Sequence, residues 1–138
     1  MKRKFLVTGG TGFVGSRLCR RLAEADTMVI DVAFSHPKDS NHHVVDITNP
    51  EDVDQIFDTI GKVDVIFHLA ALSFVPDAVK NPLKAVRTNL DGTINLLEAF
   101  KRYSPEARFI YISSSEVYGF PCYLPMDEKH PVDAQDPC

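Results

Sequence analysis

The chain has 138 residues, 44% hydrophobic and 25% charged, the balance of an ordinary globular protein long enough to bury one core. Its 19 acidic and 15 basic side chains give a formal charge of −4, which argues against nucleic acid or an anionic membrane surface as a partner. There is no apolar run of bilayer length and no recognisable secretory leader. Cys19, Cys122 and Cys138 form no CxxC and no regular spacing, so a reducing, cytoplasmic setting is expected, with no metal site.

Lys4–Thr8 is a short apolar run stopped by glycines and is predicted as a first strand. Over residues 13–25 the period changes. Val14, Leu18, Leu22 and Ala25 fall at helical spacing, with Arg17, Arg20, Arg21 and Glu24 on other faces. A second strand is predicted at 28–32, and a third around Val44 and Val45. Pro50, after Thr48 and Asn49, marks the start of a helix that runs to Ile60 before Gly61. Residues 63–69 read as a fourth strand, apolar enough to be covered on both faces. Residues 82–103 read as one long helix, with Ala85, Asn89, Gly92, Leu96 and Phe100 near one face. Residues 107–112 form a fifth strand closed by Ser113, Ser114 and Ser115, and the proline-rich, aperiodic stretch from Gly119 reads as loop. Strands alternating with helices predict a single α/β domain over 1–138: a doubly wound parallel sheet in the order 3-2-1-4-5, helices on both faces.

Between the first strand and the first helix lies Thr8-Gly9-Gly10-Thr11-Gly12-Phe13-Val14-Gly15. A pyrophosphate must come close to backbone N–H groups, which forbids a Cβ at the tight turn, and the helix N-terminus supplies donors and the positive end of a dipole. Gly15, inside the helix, is expected to let helix and sheet pack closely. An acidic residue, Asp31, closes the second strand 22 positions after Gly9. That setting, more than the glycines alone, makes this a Rossmann-type dinucleotide site rather than a mere tight turn. The rival phosphate loop fails: Gly10 to Gly15 fits GxxxxG, but Ser16 and Arg17 follow where Lys and Ser or Thr are needed. Asp31 would accept hydrogen bonds from the adenine ribose hydroxyls and repel a 2′-phosphate, and residues 32–37 hold no cation to offset it, so NAD is expected over NADP. A solvated strand-end carboxylate is the other reading of Asp31.

These residues, with four further stretches, resemble the NAD-dependent epimerase/dehydratase family, the extended short-chain dehydrogenases. Asp46-Ile47 looks like the family's adenine-contacting pair. His68-Leu69-Ala70-Ala71 looks like its HxAA turn beside the cofactor, although His68 alone would fit a satisfied core histidine and the alanines close packing. Asn89-Leu90-Asp91-Gly92-Thr93 is similar to its NxxGT helix motif, where the Asn bridges two strand ends. Ser113-Ser114-Ser115-Glu116-Val117-Tyr118-Gly119 resembles its SSSxxYG strand end, although a serine run can also be only a polar cap. The resemblance implies cofactor contacts from Gly9, Thr11, Gly12, Phe13, Val14, Gly15, Asp31, Asp46, Ile47, Leu69, Ala70, Ala71 and Asn89. It also implies chemistry on a nucleotide-sugar substrate. NAD takes a hydride from a sugar carbon while a Tyr, its pKa lowered by a Lys four residues on, removes the hydroxyl proton. Ser114 falls where the family hydrogen-bonds the same sugar oxygen. Glu116 falls where its dehydratases carry a proton-abstracting acid.

Two departures qualify that expectation. The connection 32–41 is close to the minimum for a parallel crossover, so its helix is expected to be missing or one turn long. No Tyr is followed by Lys at the fourth position, and by the register of residues 126–137 Cys138 stands where the family has its Tyr. The chain therefore reads as a truncated, NAD-binding part of a nucleotide-sugar epimerase or dehydratase, lacking the C-terminal substrate region and turnover. The alternative is a non-enzymatic NAD-binding regulatory or sensor module. With nothing after it, Phe109-Ile110-Tyr111-Ile112 would leave a naked sheet edge, and self-association into a homo-oligomer is expected.

Overall fold

The computed structural model describes residues 3–24, the backbone of 28–33, and 42–133. The short connection between the second and third strands, the side chain of Asp31 and the position of Cys138 lie outside the described residues.

Five strands are present: β1 (Lys4–Thr8), β2 (Met28–Ala33), β3 (His42–Val44), β4 (Val65–His68) and β5 (Arg108–Tyr111). All neighbours are parallel, in the order β3-β2-β1-β4-β5. β1 holds the centre, paired on both sides. Leu6 and Val7 are fully buried, and Leu6 stands in register with Ile30 on one side and Ile66 on the other. The strands are parallel, so each needs a crossover, and the crossovers clothe the sheet. Helix α1 (Phe13–Glu24) packs on β1 and β2. On the other face α2 (Pro50–Ile60) and α5 (Gly92–Tyr103) pack on each other and enclose Leu6, Val53, Ile56, Phe57, Ile66 and Leu96.

The helix ends are set by ordinary cap chemistry. Asn49 accepts a hydrogen bond from the Glu51 N–H (3.1 Å), Pro50 occupies the first turn, and Gly61, at φ 69°, returns its N–H to the Phe57 carbonyl (2.8 Å). Residues 82–103 are helical throughout, but not uniformly: α4 (Pro82–Val86) passes into a π turn at Arg87–Asp91 before α5 begins. Two elements escape the sequence reading. Helix α3 (Val75–Lys80) follows β4, and a 3-10 turn spans Ser115–Tyr118. From 119 to 133 there is no helix or strand, as expected of a loop. The loop is pinned by buried His130, which accepts from the Cys122 N–H at Nε2 (2.9 Å) and lies between the rings of Tyr118 and Tyr123.

Candidate functional site

Parallel pairing points all five strands the same way, so the segments leaving their C-terminal ends converge. They line a cleft of about 1050 Å³, of the size that takes a small-molecule cofactor. The glycine loop forms one wall, residues 45–48 another, 69–73 the floor, and α4 with its π turn the far side.

The glycines are required by backbone contacts. Gly9 has φ 75°, and a Cβ there would stand 2.9 Å from the Ala70 nitrogen. A Cβ on Gly15 would overlap the Gly9 carbonyl oxygen and come within 2.8 Å of the Gly10 Cα. Gly15 thus admits the glycine turn itself onto the first turn of α1, which differs from the close helix–sheet packing expected of it. The Gly12 N–H closes the turn on the Gly9 carbonyl (3.0 Å). No acidic residue occupies the first turn of α1, the end of a helix that favours an anion. Phe13 and Val14 are exposed at the cleft, so Val14 does not belong to the buried face of α1, where Gly15 is the buried residue.

On the second wall Asp46 is held by its own turn: Oδ1 accepts from the Thr48 N–H (2.9 Å) and hydroxyl (2.8 Å). Next to it Ile47 is gripped from α5. Gly92 lies so close that a Cβ would come 2.7 Å from the Ile47 Cδ1, and Asn95 Nδ2 donates to the Ile47 carbonyl (3.0 Å).

The floor is tied to the π turn by side chains. Asn89 Oδ1 accepts from the Leu72 N–H (2.7 Å) and its Nδ2 donates to the Leu72 carbonyl (3.2 Å). The amide therefore clamps one residue beyond β4. Among the described residues it does not bridge two strand ends, and the clamp uses one of its two N–H donors and one of the two Oδ1 lone pairs. His68, 2% exposed, has Nδ1 2.6 Å from Thr8 Oγ1 and Nε2 2.9 Å from Thr93 Oγ1. Burial depresses its pKa to about 4, so it is the core-histidine reading that the geometry supports. Three members of Asn89-Leu90-Asp91-Gly92-Thr93 thus have a structural role: Asn89 holds Leu72, Gly92 admits Ile47, Thr93 meets His68.

At the end of β5, Ser114 lines the cleft and caps the 3-10 turn by accepting from the Glu116 N–H (3.2 Å), leaving its own proton for an oxygen in the cleft. Glu116, on that turn, does not line the cleft. Every expected cofactor residue whose side chain is described lines it; that of Asp31 lies outside the described residues. Sequence reasoning did not single out Ser73, Lys84, Arg87 and Tyr111, which also face it. The signal for Lys84 and Arg87 was their i, i+3 spacing on the helix that carries Asn89. Among the described residues no group of three or more His, Cys, Asp or Glu could hold a metal, and no helix is long and apolar enough to cross a membrane.

The sequence profile of the NAD dependent epimerase/dehydratase family matches residues 5–138. The chain belongs to that family. UDP-glucuronic acid decarboxylase 2 of Arabidopsis thaliana is 41% identical over 137 residues, covering 94% of this chain and 30% of that protein. The UDP-glucose 4-epimerase of Dictyostelium discoideum is 33% identical over 148 residues, covering 97% of the chain and 42% of that protein. The crystal structure of a UDP-glucose 4-epimerase from Bifidobacterium longum, in complex with NAD+ and UDP, superposes with a TM-score of 0.87 at 28% identity, over 97% of this chain and 44% of that one. The chain spans less than half the length of these relatives.

Proposed function

We propose that this chain is the NAD-binding portion of an enzyme that oxidises a carbon of a nucleotide sugar, and that residues 1–138 form one domain. The observation that carries the reading is the glycine loop, where Gly9 and Gly15 bring bare backbone and the first turn of α1 to the mouth of a cleft of about 1050 Å³. Gly12, Phe13 and Val14 would hold the pyrophosphate of NAD. Asp46 and Ile47 would border the adenine, Asp31 would accept from the ribose hydroxyls, and Leu69, Ala70 and Ala71 would form the floor. Bound NAD supplies the hydride acceptor. Ser114 donates to the substrate hydroxyl, and Glu116 reaches the reacting sugar only if the 3-10 turn shifts. Within residues 1–138 no Tyr has a Lys four positions on. Family membership and the NAD held by the Bifidobacterium relative support the cofactor. The sparse cysteines, with no CxxC and no regular spacing, support a reducing, cytoplasmic location.

Titration calorimetry tests the reading. The chain should bind NAD at one site, Gly12→Val should abolish binding by filling the space of the pyrophosphate, and Asp31→Ser should erode the preference over NADP. Equal affinity of the chain and its Gly12→Val variant for NAD would overturn the assignment.

A further inference from the structure

The bonds around His68 fix where its proton sits. Thr93 has one hydroxyl proton, and its Oγ1 lies 2.6 Å from the Asn89 carbonyl, which can only accept. The 2.9 Å contact between Thr93 Oγ1 and His68 Nε2 then requires Nε2 to carry the hydrogen. In the neutral ring Nδ1 is bare, and Thr8 must donate to it across 2.6 Å while accepting from the Ala70 N–H (3.2 Å). The five groups form a relay with one direction: Ala70 N–H to Thr8, Thr8 to His68, His68 to Thr93, Thr93 to the Asn89 carbonyl. One end is the turn against which Gly9 packs, and the other is the π turn whose Asn89 side chain clamps Leu72.

We propose that His68, as the neutral Nε2–H tautomer, is a positioning residue that fixes the cleft floor, residues 69–72, relative to the glycine loop and the π turn, and so sets the affinity for the dinucleotide. The inference rests on the NAD-binding reading above. A relay of this kind transmits a defined geometry because each hydroxyl has one proton and no member can reverse without leaving a buried group unpaired. The groups that face the ring are Thr8 from β1, Thr93 from α5, and the rings of Phe109 (6.0 Å) and Tyr111 (5.7 Å) from β5. Of these only Tyr111 titrates, so no charge from them competes for the imidazole.

The test combines nitrogen NMR of the histidine rings with NAD titration on the whole chain. His68 should show the Nε2–H tautomer and remain neutral at pH 5.5, where a histidine of ordinary pKa near 6.5 is mostly protonated. Thr8→Val, which removes the donor to Nδ1, should raise the pH at which the ring titrates, and Thr8→Ser should restore it. At pH 7.5, Thr93→Val should bind NAD about tenfold more weakly, the scale of one net hydrogen bond, whereas Thr93→Ser should bind like the wild type. A packing role alone would favour Val over Ser at this site, the opposite ranking. An Nδ1–H tautomer, or full affinity in Thr93→Val while the wild type binds and Gly12→Val does not, overturns the proposal. Failure of the wild type itself to bind NAD overturns the functional reading instead, and the tautomer and the Thr8 pair then decide the relay alone. Thr93→Val is the second route should Thr8→Val fail to fold, since Thr8 is fully buried in the central strand.

Discussion

At the scale of single residues, the His68 ring links stability to pH with a definite sign. Its folded pKa of about 4 lies below the usual 6.5, so the unfolded chain binds its proton more readily than the folded one. The stabilisation is full above about pH 6.5, declines as the pH falls, and is exhausted near pH 4, a loss of about 3 kcal/mol from this one group. Denaturant unfolding at pH 7.5, 5.5 and 4.5 should record the decline, and His68→Asn should lower stability at pH 7.5 while flattening the slope. A slope unchanged in that variant would assign the pH dependence elsewhere. Which residues matter was largely legible in the sequence, because each has a type that few other environments require: glycines at a strand–helix junction, an amide in mid-helix, serines at a strand end. What each one touches was not. The overlap that forbids a side chain on Gly15 is with Gly9, and the partner of Asn89 is the main chain of Leu72; both follow from how the chain turns back on itself, which residue type does not specify.

Local signals at the scale of elements were strong where caps and period agreed. Asn49, Pro50 and Gly61 bound α2 where the sequence placed its ends. Asn49→Ala should cost about 1 kcal/mol, read as a lower denaturation midpoint with unchanged slope, since it leaves the Glu51 N–H without its side-chain acceptor. A midpoint equal to that of the wild type would mean that water replaces the cap. α3 was missed because its six residues are too few for a helical period to emerge; its Pro76 sits in a first turn, where proline is tolerated. The π turn was missed for a different reason. It inserts one residue into an otherwise regular pattern, and Ala85, Asn89, Gly92 and Leu96 keep a common face on either side of it. Such a turn is stable only through what it presents, here the Asn89 carbonyl to Thr93 and its side chain to Leu72.

For the molecule as a whole, strand order was legible because right-handed crossovers between short parallel strands leave few alternatives. Surfaces that meet other molecules were less so. The sequence pointed to the edge of β5, and among the described residues β5 pairs only with β4. The structure adds a second apolar surface: Ile94 and Leu97 on α5 are 47% and 37% exposed, continuing from Leu90 at the cleft. Light scattering over a concentration series should show dimers or larger species. Ile94→Glu combined with Leu97→Glu should leave them intact if β5 is the contact and dissolve them if the helix is. A monomer at every concentration would remove both surfaces from consideration. The helical rod from Pro82 to Tyr103 has a mechanical consequence of its own. It holds β4 beyond one end, where Asn89 grips Leu72, at its last residue, where Thr93 meets His68, and before its beginning, where Ser104 just past the rod accepts from the Val63 N–H (3.1 Å). A rod fastened to one strand at three levels cannot slide along its axis by a turn, about 5.4 Å, without releasing all three. The far side of the cleft is a fixed jaw, and closure around a ligand falls to the segments this rod does not hold.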